Sequence, residues 1–153
     1  MRILFVCLGN ICRSPMAEFI FRDMLERRGL ADCVECASAA TSAEEIGNPV
    51  YPPARRKLHE LGISAAGKRA VQMTRADYDR YDLLLGMESR NIAAMKRICG
   101  CDPQGKIRRL LDGTARPRDI ADPWYTDDFD TACADITEGC EALIETLKRE
   151  GRI

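Results

Sequence analysis

The first residues of the chain, Arg2–Cys7, form a short run rich in Ile, Leu, Phe and Val that is apolar on both faces, and a loop and a helix start at Ser14-Pro15 follow it directly. Such a run predicts a central parallel strand covered by helices on either side, rather than a half-exposed strand with alternating polarity. Proline just inside the start preorganises the first helical turn. Ala17, Ile20, Phe21, Met24 and Arg28 then fall on one side before Gly29 stops the helix. A strand-loop-helix unit of this kind commits the chain to an α/β architecture.

The remaining pattern repeats the alternation. The sequence predicts a second strand over Cys33–Ser38, a helix over Pro53–Leu61 with a stripe of Ala54, Leu58 and Leu61, and a buried strand over Tyr81–Met87. A helix over Ser89–Ile98, a weaker strand over Lys106–Leu111 and a long amphipathic helix over Asp128–Arg149 follow. The expectation is one domain spanning residues 1–153, a parallel sheet with helices on both faces, with ligands bound beyond the carboxyl ends of the strands. A chain with 46% hydrophobic and 31% charged residues and a formal net charge of -1 reads as globular and carries no general nucleic-acid affinity. No stretch approaches the ~20 apolar residues of a membrane span and nothing resembles a signal peptide, so membrane insertion is not expected and a cytoplasmic home is. The eight cysteines then read as reduced thiols rather than a disulfide framework.

The chemistry concentrates where the first strand ends. Cys7-Leu8-Gly9-Asn10-Ile11-Cys12-Arg13-Ser14 joins a cysteine, five intervening residues, an arginine and a hydroxyl across a strand-to-helix turn. Backbone N–H groups in a tight loop at a helix start form a nest for anions, and the helix dipole adds about half a positive charge there. Arg13 supplies a planar fork that matches the oxygens of a phosphoryl group in flight, which lysine does not. The same field favours a nucleophilic thiolate at Cys7, with Ser14 as a hydrogen-bond donor to it. Gly9 permits close approach of an anion to the backbone, and Asn10 tolerates a left-handed conformation while its amide locks the loop.

The run Val6-Cys7-Leu8-Gly9-Asn10-Ile11-Cys12-Arg13-Ser14-Pro15-Met16-Ala17-Glu18, together with Asp122-Pro123-Trp124-Tyr125, resembles the low-molecular-weight protein tyrosine phosphatases over essentially the whole chain. The resemblance implies a doubly wound four-stranded parallel sheet with a phosphate-binding loop after the first strand, and no metal or other cofactor. It implies that Cys7 is the nucleophile, Arg13 the phosphate and transition-state clamp, Ser14 the partner of the thiolate and Asn10 the residue holding the loop. Asp122 corresponds to the general acid that later activates water, and Trp124 and Tyr125 to a wall for the phosphotyrosine ring. Leu8, Gly9, Ile11 and Cys12 complete the loop, and Cys12 stands where a second cysteine traps an oxidised nucleophile as a disulfide. Phosphotyrosine-containing proteins or peptides are the implied substrates, with a tyrosine kinase as a candidate partner and Tyr125 as a candidate phosphorylation site.

This chain departs from the family pattern in places. Lys68 stands four residues before Gln72-Met73-Thr74, where relatives often carry a histidine that braces the loop asparagine. Glu44 and Glu45 occupy a segment where many relatives have an aromatic wall, and acidic residues there disfavour acidic peptides. Ser38 and Ser89 are candidates for the supporting hydrogen-bond network. His59, the only histidine, reads as solvated, and Cys33-x-x-Cys36 and Cys99-x-Cys101 read as ordinary thiols rather than zinc ligands. Two other activities share the loop. A phosphoarginine phosphatase is disfavoured by Ile11, where a hydroxyl is expected, and a thioredoxin-coupled arsenate reductase by the lack of suitably placed further cysteines.

Overall fold

The computed structural model describes all residues from Met1 to Ile153. Four strands, β1 (Arg2–Cys7), β2 (Glu35–Ala40), β3 (Leu83–Gly86) and β4 (Ile107–Arg109), form one parallel sheet in the order β2-β1-β3-β4. The helices are α1 (Arg13–Arg27), α2 (Pro52–Glu60), a short α3 (Asp77–Arg80), α4 (Ser89–Cys99), a short α5 (Pro123–Thr126) and α6 (Phe129–Arg149). The first strand lies inside the sheet, paired with β2 on one side and β3 on the other, as its uninterrupted apolar run requires.

Alternate residues of β1 point into two separate cores. Ile3 and Phe5 join α1, α2 and α6 through Phe21, Leu58 and Ile144, while Leu4 and Val6 join α4 and β4 through Met95 and Ile107. Helices on both faces of a parallel sheet make the architecture doubly wound, as expected. Phe129, Cys133, Ile136, Cys140, Leu143, Ile144 and Leu147 of α6 are all buried.

Element boundaries differ from the expectation in ways that have local causes. Strand β2 runs Glu35–Ala40 rather than Cys33–Ser38, because the Cys33 N–H closes a turn onto Leu30 and its carbonyl accepts from the amino terminus, so that pairing begins at Arg2 with Glu35. It therefore reaches as far as Cys7, which pairs with Ala40 at the base of the loop. Strands β3 and β4 are shorter than their apolar runs, since Met87 and Leu110 are buried beyond the ladder rather than in it. Leu61 is exposed because α2 has ended at Glu60, and Arg28 is exposed because α1 has ended at Arg27, leaving its side chain to pair with Glu145 at the surface. No helix is long and apolar enough to cross a membrane.

Candidate active site

The loop between β1 and α1 is tied down by its carbonyls. Cys7, Leu8 and Ile11 oxygens accept from the N–H groups of Thr41, Ser42 and Tyr51 at 2.9, 3.0 and 2.8 Å. The N–H groups of Leu8, Gly9, Ile11 and Cys12, in contrast, donate to no acceptor within the protein. A loop whose oxygens are spent outward and whose N–H groups stay unspent at a helix start is a nest for an anion.

Asn10 sets the shape of this loop. Its φ of 58° is left-handed, and three bonds from its side chain hold it there. Asn10 Nδ2 donates to Ser14 Oγ at 2.8 Å and Ser38 Oγ at 3.0 Å, and its Oδ1 accepts from Val71 N–H at 3.1 Å. Because the Ser14 oxygen already accepts from Asn10, its proton is free to point at Cys7 Sγ, 3.0 Å away. The Asn10 N–H reaches the same sulfur at 3.3 Å, so a thiolate at Cys7 has two donors.

Behind Ser38 lies a buried charged group that sequence reasoning did not assemble. Ser38 Oγ donates to Glu18 Oε2 at 2.5 Å, Arg22 pairs with Glu18 Oε1 at 2.7 Å, and Lys68 Nζ donates to the Ser38 carbonyl at 2.9 Å while standing 3.5 Å from Glu18 Oε2. The loop asparagine is thus braced even though lysine occupies the position of the familiar histidine. Of the two serines expected in the network, Ser38 belongs to it. Ser89 does not, since its hydroxyl and N–H both go to Asp119.

Arg13 is almost fully buried, with 1% of its side chain exposed, and every cationic contact it makes is specific. Nη1 donates to Glu88 Oε2 at 2.9 Å and the Ile120 carbonyl at 2.7 Å, and Nη2 to Asp122 Oδ2 at 3.2 Å. The other carboxylate oxygen of Asp122 accepts from the Trp124 N–H at 3.1 Å and caps α5. This capping, with Pro123 at the first helical position, aims Asp122 back toward the loop. Trp124 is exposed yet fixed, its ring 4.9 Å from that of Tyr51, which in turn lies 6.1 Å from Phe129. Tyr125 is 76% exposed.

Cys7, Leu8, Gly9, Ile11, Cys12, Arg13, Asp122, Trp124 and Tyr125 all line one slot of about 130 Å³, with Glu44 and Glu45 on its rim. Asn10 and Ser14 stand behind it as support. The Cys12 thiol, 5% exposed, is pushed up to about 12, first by burial and then by the neighbouring charge of Cys7. It therefore stays protonated at neutral pH. Glu88, Tyr51, Glu18 and the Ile120 carbonyl are the contributors that the sequence reading missed. Glu88 was findable, since it follows β3 at the carboxyl edge of the sheet, where ligands bind.

A family model described as low molecular weight phosphotyrosine protein phosphatase matches residues 2–153. The low molecular weight protein-tyrosine-phosphatase YfkJ of Bacillus subtilis is 39% identical over 153 residues, covering 99% of this chain and 98% of that protein. Its crystal structure superposes with a TM-score of 0.95, covering 98% and 96% of the two chains. The structure of Vibrio vulnificus Wzb in complex with benzylphosphonate, 30% identical, superposes with a TM-score of 0.83 over 95% of this chain and 98% of that one. The chain belongs to the low molecular weight phosphotyrosine protein phosphatase family.

Proposed function

We propose that this protein is a single-domain protein tyrosine phosphatase that hydrolyses phosphotyrosine and aryl phosphates through a phosphocysteine on Cys7. The observation that carries the reading is the convergence of unspent loop N–H groups, a buried Arg13 and a doubly hydrogen-bonded Cys7 sulfur on one slot.

The phosphoryl oxygens take the loop N–H groups and the free edge of Arg13, displacing the Asp122 carboxylate from the guanidinium, and the released carboxylate takes up a proton from solvent. The Cys7 thiolate attacks phosphorus in line, an S–P bond forms and the ester P–O bond breaks. Asp122, now facing the departing oxygen, delivers its proton so that tyrosine leaves as a neutral phenol. The resulting carboxylate takes a proton from water, which attacks phosphorus and releases Cys7 as thiolate and inorganic phosphate. Arg13 and the loop hold the equatorial oxygens through both steps, where preorganised donors of this kind contribute most. Trp124, buttressed by Tyr51, and Tyr125 bound the slot with aromatic faces suited to a phenyl ring.

Two details favour phosphotyrosine over the other activities of this loop. Ile11 lines the slot and has no hydroxyl to offer a guanidinium. Cys99 and Cys101 border a different cavity, with Arg75 and Tyr78, and so are poorly placed to receive a disulfide from Cys7. Reduced thiols fit a cytoplasmic location, and a tyrosine kinase is the partner that such a reaction requires as the source of its substrate.

The test is turnover of a phosphotyrosine peptide in reductant, beside phosphoarginine and arsenate. Phosphotyrosine hydrolysis is expected, abolished in Cys7→Ser and slowed about 100-fold or more in Asp122→Ala. Turnover of phosphoarginine or arsenate with phosphotyrosine untouched contradicts the assignment.

A further inference from the structure

The rim of the slot carries an uncompensated negative charge. Arg13 is its only lining cation, and that guanidinium is buried and already shared among Glu88, the Ile120 carbonyl and Asp122. Glu44, Glu45 and Asp122 stand against it, and neither Glu44 nor Glu45 has a lysine or arginine partner.

The segment bearing the two glutamates is a fixed wall rather than a loose loop. Thr41 and Ser42 donate to the carbonyls of Cys7 and Leu8, while Gly47 and Asn48 are bonded to Ala70 at 2.9 and 2.8 Å. A Cβ on Gly9 would stand 3.3 Å from Glu45 Cγ, so the Glu45 stem lies directly on the phosphate loop. Its carboxylate is held by Asn48 Nδ2 at 2.6 Å. Leu8, 43% exposed, lines the same slot and offers an apolar ledge beside these carboxylates. An aliphatic stem laid on such a ledge with its charged head in water beside a carboxylate is the natural posture of lysine or arginine.

We propose that Glu44 and Glu45 are specificity-determining residues, selecting phosphotyrosine flanked by lysine or arginine and rejecting it when its neighbours are acidic. The inference rests on the phosphotyrosine reading above. A substrate whose neighbours are cationic offsets the repulsion between its phosphate and the rim, whereas an acidic neighbour adds to it. Exposed charges act weakly one at a time, so the effect is the sum of several contacts and is screened by salt.

The experiment compares kcat/KM for two phosphotyrosine peptides of equal length, one with lysine and one with glutamate on each side of the phosphotyrosine. The native chain is expected to prefer the lysine peptide about tenfold at low ionic strength, with the ratio shrinking in high salt. In Glu44→Lys/Glu45→Lys the order of preference is expected to invert. Both residues lie on the surface segment, and the ratio between two peptides on one protein sample is independent of how much of that sample is folded. Hydrolysis of both peptides at a ratio near one, unmoved by the double substitution, overturns the inference and leaves the phosphatase reading intact. Failure to hydrolyse either peptide overturns the phosphotyrosine reading and this inference with it.

Discussion

The reactivity proposed for Cys7 depends on neighbours that are themselves fixed. Ser14 has one proton and two possible recipients, the Cys7 sulfur at 3.0 Å and the Ala39 carbonyl at 3.4 Å, and the Asn10 amide on its oxygen steers the hydroxyl. Ser14→Ala is expected to lower kcat by about 10²-fold, the usual loss on deleting one preorganised donor at a charged centre, read by steady-state kinetics on an aryl phosphate. The two loop cysteines should also separate chemically. With the Cys12 thiol pushed up to about 12 by burial, iodoacetamide at neutral pH is expected to modify Cys7 before Cys12, and inorganic phosphate to protect Cys7. Peptide mapping by mass spectrometry checks this, and primary labelling at Cys12 contradicts it. At this scale the sequence was legible for residues whose job is set by local spacing, from Cys7 through Ser14. Glu18 was illegible because it acts on Ser38 across 20 positions of chain, and the places of Lys68 and Glu88 were legible while their partners, Ser38 and Arg13 at 30 and 75 positions away, were not. A charged residue gives no local sign of whether it points at water or at a buried partner.

Periodicity marks the elements best where an apolar run is long. Helix α6 was placed to within one residue, because its stripe of apolar residues persists over six turns' worth of chain and Asp128 caps it through Thr131. Strand β2 slid by two residues because the pairing with β1, not the apolar content, decides where it begins. The entry into β4 depends on one side chain. Asp102 accepts from Tyr78 Oη at 2.7 Å, Lys106 N–H at 2.8 Å and Ile107 N–H at 3.1 Å. Burial alone pushes the Asp102 carboxyl up, but these hydrogen bonds outweigh it and leave it below the usual carboxylate range. A carboxyl lowered on folding contributes stability that is present above the unfolded value, about 4, and is lost as pH falls through the folded value. Asp102→Ala is expected to cost about 2–3 kcal/mol near pH 7, and the gap from the native protein to narrow below about pH 4, as followed by urea unfolding.

Across the whole molecule, the sheet order puts the reactive loop at the carboxyl edge of the central strand, with β2, β3 and the α5 turn each delivering one part of the slot wall or its support. Ligand binding should therefore tighten the fold as a unit. Inorganic phosphate at about 100 times its Kd is expected to stabilise the protein by ~2.7 kcal/mol, a Tm rise of roughly 5–10 °C for a chain of this size, and Arg13→Ala to abolish the rise whatever its own Tm.

In the proposed reaction, phosphate passes through the sulfur of Cys7. The most direct measurement is rapid acid quench of Asp122→Ala during turnover of an aryl phosphate with a good leaving group, followed by mass spectrometric location of the phosphoryl group. Slowed hydrolysis of the intermediate in this variant should leave a phosphocysteine at Cys7, with none in Cys7→Ser. Turnover with no phosphorylated Cys7, or with phosphate on another residue, contradicts a phosphocysteine at Cys7.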